Sequence, residues 1–176
     1  MKITLILVVV FLAGLLLYGV MILNPPSGVN SFPQYDTAGE TSNESSDTAV
    51  YGKTVDLSGQ GLTKVPNSVF NGRTTEVLNL SNNNLEGSLQ AEVRNFSNLR
   101  VLNLSNNNFT GVPAEVGQLS RLEVLDLSNN PITGLPNEIG NLRNLKILDL
   151  RGTDYSSKDL EVIKQELSAS VDILVD

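Results

Sequence analysis

The chain has 176 residues and a formal charge of −7, with 28 leucines and 20 asparagines but no histidine, cysteine or tryptophan. That inventory excludes a Ser-His-Asp or Cys-His catalytic unit, the usual Cys/His zinc sites and any disulfide framework. The acidic balance argues against nucleic acid, whose binders displace counterions with a basic surface, and aromatic residues at 5 % are too few for base-stacking platforms.

Residues 3–23, ITLILVVVFLAGLLLYGVMIL, run without a charge. At ~1.5 Å per residue such a helix is roughly 30 Å long, the thickness of a bilayer's hydrocarbon core. The run reads as an uncleaved signal-anchor, with a cleaved signal peptide, and hence a secreted protein, as the alternative. It exceeds the ~7–15 apolar residues of a signal peptide, and no small-x-small site follows. Lys2 precedes it, and no Lys or Arg recurs until Lys53, while Asp36, Glu40, Glu44 and Asp47 lie between. The basic residues therefore place the N-terminus in the cytoplasm and the rest outside, in a single pass of the cell membrane. Residues 24–50 are rich in Ser, Thr, Asn, Gly, Pro and acids and show no apolar period. They read as a disordered acidic linker, because they have too little apolar surface to offset chain entropy.

From residue 51 to 176 the chain forms one repeating domain. Units start at Gly52, Thr75, Leu99, Leu122 and Leu145, a spacing that marks a solenoid. Each opens with an alternating stretch, so Val55/Leu57, Leu78/Leu80, Leu102/Leu104, Leu125/Leu127 and Leu148/Leu150 fall on one face of short strands. Three-residue strands are unstable alone but stack into a parallel sheet. Later apolar positions close each coil: Leu62, Leu85, Phe109 and Ile132; Val65, Leu89, Val112 and Leu135; Phe70, Phe96, Leu119 and Leu142. Pro66, Pro113 and Pro136 forbid regular strand after the turn, so the back of each unit should be turns or a single helical turn.

Eight residues after each start stand Gln60, Asn83, Asn107, Asn130 and Thr153. A buried amide can both donate to and accept from backbone groups that a tight turn leaves unpaired. Asn83, Asn107 and Asn130 are thus expected to form an internal ladder. Asn82, Asn84, Asn106, Asn108 and Asn129 read as turn residues.

Units LRVLNLSNNNFTGVPAEVGQLSR (99–121) and LEVLDLSNNPITGLPNEIGNLRN (122–144) share the pattern L-x-x-L-x-L-x-x-N-x-Φ-x-G-Φ-P-x-E-Φ-G-x-L-x-x, where Φ is apolar. This resembles the leucine-rich repeat family. The resemblance implies an α/β solenoid, a right-handed coil with a short parallel sheet on the concave face and turns or 3-10 segments on the convex face. Many extracellular members cap their ends with cysteine pairs. Their absence suits a bacterial cell-envelope protein better than a eukaryotic receptor ectodomain.

The last unit diverges into a cap over 156–176. Ser157 is expected to cap a helix from Lys158 to about Leu167, with Asp159 and Glu161 in its first turn and Leu160, Val162, Ile163 and Leu167 on its apolar face. Residues 171–175 read as a final strand beside the fifth.

A strand-lined solenoid exposes alternate strand positions on its concave face. One column holds Thr54, Val77, Val101, Val124 and Ile147; the next Asp56, Asn79, Asn103, Asp126 and Asp149; the third Ser58, Ser81, Ser105, Ser128 and Arg151. Lys53, Glu76, Arg100, Glu123 and Lys146 alternate in sign just upstream. An aliphatic stripe bordered by acids and amides suits a partner protein or an envelope ligand, so the expected activity is binding rather than catalysis, with no metal and no cofactor. An envelope scaffold that self-associates is the alternative. Asp126 and Asp149 pair on adjacent strands without a third ligand or base. Gly87, Gly111 and Gly134 read as turn residues, and N-x-S/T sequons occur at Asn43, Asn79, Asn95, Asn103 and Asn108.

Overall fold

The computed structural model describes residues 54–176. The apolar run at 3–23 and the linker at 24–50 lie outside them. Among the described residues no helix is long and apolar enough to cross a membrane.

In chain order the elements are β1 (Thr54–Asp56), the 3-10 helix η1 (Asn67–Asn71), β2 (Val77–Asn79), β3 (Glu86–Ser88), η2 (Ala91–Asn95), β4 (Val101–Asn103), β5 (Asn108–Gly111), η3 (Ala114–Gln118), β6 (Val124–Asp126), η4 (Asn137–Asn141), β7 (Ile147–Asp149), α1 (Ser157–Glu166) and β8 (Asp172–Leu174). Strands β1, β2, β4, β6, β7 and β8 form one parallel sheet in that order. The register stacks Val55, Leu78, Leu102, Leu125, Leu148 and Ile173 in one row. A second row, Leu80, Leu104, Leu127 and Leu150, follows the strands and is fully buried. Each of its amides still donates to the next unit, as Leu104 N does to Asp126 O at 2.9 Å. These rows are the inner wall of the solenoid.

Beyond the second leucine the chain must leave the sheet. Gly59, Asn82, Asn106, Asn129 and Gly152 each adopt positive φ there, between 53° and 66°. Glycine and asparagine are the residues that enter this region at low cost. The five form one column, in which Gly59 and Gly152 do the work that asparagine does in the middle units.

The following residue points inward. Asn83 Nδ2 donates to Leu57 O and Leu80 O at 2.8 and 2.9 Å, and its Oδ1 accepts from Gln60 N and Leu62 N at 3.0 Å each. Asn107 donates to Leu80 O and Leu104 O and accepts from Leu85 N. Asn130 donates to Leu104 O and Leu127 O and accepts from Phe109 N. Each amide therefore satisfies its own turn and ties it to the turn of the preceding unit. Thr153 donates only to Leu150 O, at 2.7 Å, within its own unit.

The convex side is more regular than turns. Pro66, Pro113 and Pro136, with Gln90 in the second unit, precede η1, η3, η4 and η2, and their carbonyls accept from Val69, Val116, Ile139 and Val93 at 3.1 Å. Proline's fixed φ and missing N–H suit the residue that starts a helical turn. The glycines of the repeat divide by role. Gly87 has positive φ, whereas Gly111 ends β5 and Gly134 is not in that region. A Cβ on Gly117 would collide with Glu138 O, and one on Gly140 would come within 2.7 Å of Glu166 Cβ. Those two glycines let η3, η4 and α1 approach closely.

A second sheet was not foreseen. Strands β3 and β5 pair in parallel, Glu86 with Asn108 and Gly87 with Phe109. It begins where Asn84 N donates to Leu62 O and Asn108 N to Leu85 O, both at 2.8 Å. Pro131 holds the equivalent place in the fourth unit and has no N–H to continue it.

The cap differs by one residue from the expected one. Ser156, not Ser157, caps α1, its Oγ accepting from Asp159 N at 3.3 Å, and the helix ends at Glu166. Leu160, Ile163 and Leu167 are buried, and Val162 is exposed. β8 pairs in parallel with β7 as expected, over Asp172–Leu174. Thr75 is a local defect: it is fully buried where the later units open with Leu99, Leu122 and Leu145, and its hydroxyl has no partner.

Two substitutions test this account through thermal or denaturant midpoints. Asn107→Leu leaves Leu85 N unpaired inside the coil and takes from Leu80 O and Leu104 O one of their two amide donors, and should cost about 2–3 kcal/mol. Thr75→Val removes an unsatisfied hydroxyl at almost constant volume and should stabilise by about 1 kcal/mol.

Candidate functional site

The concave columns are less open than alternation alone implies. Thr54 is exposed and Val77 and Ile147 are half-buried, but Val101 and Val124 are only 6 % and 2 % exposed. Strands ~4.8 Å apart pack each column's side chains against their neighbours on both sides. The aliphatic stripe is therefore a packed floor with accessible ends.

The second column is turned back on its own chain. Asp56 Oδ1 accepts from Ser58 N, Asn79 Oδ1 from Ser81 N, Asn103 Oδ1 from Ser105 N, Asp126 Oδ1 from Ser128 N and Asp149 Oδ1 from Arg151 N, at 2.9 to 3.1 Å. This is the bond by which Asx residues close a turn two residues on. Asn103, Asp126 and Asp149 are buried, Asn79 is half-buried, and Asp56 is exposed. The reading of all five as exposed contact groups is corrected accordingly: three shape the exit from the strand. The sequence signal for these turns is the Asx-x-Ser spacing repeated in the first four units.

Asp126 and Asp149 have different partners. Asp149 holds Arg151 through both oxygens, Oδ1 to Nε at 3.0 Å and Oδ2 to Nη2 at 2.5 Å. That leaves Arg151 partly exposed at the edge of the face. Burial pushes the Asp126 carboxyl above its ordinary value, against the lowering effect of Ser128 and with a further push from Asp149. Among the described residues no group of three or more potential ligands is placed to hold a metal.

The rim upstream of the strands is strongly charged. Glu123 bridges its neighbours, accepting from Arg100 Nε through Oε1 and from Lys146 Nζ through Oε2, both at 2.6 Å. Those two cations hold the Glu123 carboxyl below its ordinary value. Arg121 stands beside them and donates through Nη1 to Asn98 Oδ1 at 3.0 Å. Arg100, Arg121, Glu123, Asn144 and Lys146 line an open cleft of about 350 Å³. The alternating charges of this column were legible in the sequence; Arg121 was not, because it stands two residues before Glu123, outside that column, and its place in the cleft depends on the units at Arg100 and Lys146.

The sequons separate by exposure. Asn103 is buried with its oxygen engaged, so its N-x-S spacing belongs to the strand exit. Asn95 and Asn108 are exposed on the convex side and on β5.

The geometry has counterparts. A family model described as a leucine-rich repeat region matches residues 55–165. Curated protein sequences yield no match. Among solved structures, the chain is similar to the leucine-rich repeat ectodomain of the receptor kinase SOBIR1 from Arabidopsis thaliana, at 27 % identity and TM-score 0.56, over 69 % of this chain and 66 % of that one. It is also similar to the BIR2 ectodomain from Arabidopsis thaliana, at 31 % identity and TM-score 0.54, over 58 % and 55 %. The plant peptide hormone receptor RGFR1, solved in complex with RGF2, matches at 32 % identity and TM-score 0.54, over 63 % of this chain and 18 % of that one. The chain spans less than two thirds of each of these proteins.

Asp126 offers a pH test. Its folded-state carboxyl binds a proton more readily than in the unfolded chain, so stability falls as pH rises from the ordinary value of 3.8 through the raised one. Asn79 and Asn103 already fill the same role in neighbouring units. Asp126→Asn should therefore raise the melting temperature at pH 7, with the gain shrinking as pH falls into the range of ordinary carboxylates.

Proposed function

The chain belongs to the leucine-rich repeat family, and on that footing we propose that it is a binding module recognising a protein or cell-envelope ligand through its concave sheet. The observation that carries this reading is the sheet itself, six parallel strands in register forming one continuous face. Such concavities are extended, ready-made contact surfaces. Val77, Asn79 and Ile147 at the accessible parts of the floor, with Asp56 and Arg151 at its edges, are the contact residues. Val101, Asn103, Val124, Asp126 and Asp149 hold that surface in shape. The solved complex of RGFR1 with RGF2 supports a peptide or protein as the class of partner.

In this reading residues 3–23 anchor the protein in a cell membrane with the N-terminus inside, and residues 24–50 tether the repeats outside it. Cleavage after the apolar run would release the same module as a secreted protein. The protein acts by binding and carries out no reaction of its own.

Site-specific photocrosslinking of the full chain in its native membrane tests the proposal. A crosslinker at position 77 or 151 should give a discrete heavier adduct, and one at the convex positions 118 or 138 should not. Adducts from 118 or 138 alone would overturn the concave reading. An adduct of twice the chain's mass would favour a self-associating envelope scaffold.

A further inference from the structure

Arg121 breaks a structural column. The residue before the opening leucine of the last three units is Asn98, Arg121 and Asn144. Asn98 Nδ2 donates to Arg73 O at 3.2 Å and Asn144 Nδ2 to Ser120 O at 2.7 Å, so each stitches its junction to the one before. By the same spacing the acceptor for position 121 is the carbonyl of Ser97. An asparagine would serve the fold there as it does on either side. The guanidinium instead faces Asn98 and adds a third cation to the rim cleft.

The charges of that cleft do not cancel. Among its lining residues Arg100, Arg121 and Lys146 carry three positive charges against the one carboxylate of Glu123, on a chain whose formal total is −7, with Glu76 beside Arg100 on the strand before. Glu123 engages Arg100 and Lys146 with one oxygen each, which positions both side chains before any ligand arrives. Side chains already held in place lose less rotamer freedom on binding. Arg100 and Lys146 extend from units two strand spacings apart, and their charged ends converge on the one carboxylate of Glu123. Glu123 already holds that bridging place, whereas Arg121 donates to the neutral amide of Asn98 and keeps its charge for an incoming acidic group.

We propose that this cleft receives an acidic peptide segment of the binding partner, with Arg121 as the residue that selects for negative charge. The inference rests on the proposed binding role for its place beside the same face and names the chemistry of the partner there. Nucleic acid and anionic membranes present long arrays of charge that the surrounding acidic surface repels. A short segment meets the cleft alone, within the ~8–10 Å over which charges act at ordinary salt.

The test measures fluorescence anisotropy of fluorescein-labelled hexaglutamate with the full chain in detergent. Binding should be saturable, weaken about tenfold between low and high salt, and be absent for hexaglutamine. Arg121→Asn, a residue the fold accepts at positions 98 and 144, should weaken it at least about fivefold. Arg94→Gln removes an equal charge from the convex side, where Arg94 pairs with Glu115 at 3.5 Å, and should leave binding unchanged. Equal losses in the two variants would reduce the effect to bulk charge and overturn the proposal. So would absence of hexaglutamate binding, or its displacement by inorganic phosphate at matched ionic strength. Hexaglutamate needs no native partner, so failure here leaves the crosslinks from positions 77 and 151 standing, and failure of those crosslinks leaves this binding measurable.

Discussion

The buried asparagine amide is the interaction on which the rest of the solenoid depends. A coil of about 23 residues has to turn out of its strand at once, and that turn points backbone carbonyls and amides into the core. Asn83, Asn107 and Asn130 satisfy those groups and reach the turn of the preceding unit in the same set of bonds. The residue before each of them takes positive φ so that the amide can face inward. With the turns superposed, the leucine rows line up and the strands pair in register. Burial of those rows is the larger free energy, but it is the amides that make a single alignment of them available.

The ends of the ladder explain the ends of the molecule. Gln60 contributes its backbone N–H to Asn83, and Thr153 bonds only within its own unit. The join that an asparagine would make to the fourth unit is taken over by the cap. Gly140 lets α1 lie close against η4, and β8 extends the sheet past β7. Asp159 also reaches back from α1 to accept from Leu135 N at 3.3 Å. A chain without cysteine thus closes its core with a helix and a strand.

The same economy of short bonds shapes the recognition surface. Asx residues that look like contact groups close turns instead, and the middle of the aliphatic stripe is packed on itself. What stays accessible lies at the ends and along the charged rim. In the proposed reading, specificity is carried by departures from the repeat, such as Arg121 and Arg151, while the residues that the units share supply the common floor. A consensus position serves the coil in each unit; a position that differs is free to serve a ligand.

The period, the strand leucines, the inward asparagines and the closing helix and strand were all legible in the chain, because each follows from spacing within one unit. The equivalence of Gly59 and Gly152 to Asn82 was not legible there, since they share a backbone conformation and no side-chain chemistry. The pairing of β3 with β5, and its end at Pro131, required knowing which backbone groups of adjacent units meet. The burial of Val101, Val124, Asn103, Asp126 and Asp149 likewise depended on neighbours one strand away. Local periodicity decides the element, its facing and its turn, because those are set by residues a few positions apart. Exposure, charge clusters and close approaches arise between residues some 23 positions apart, and they acquire values only when the coils are stacked.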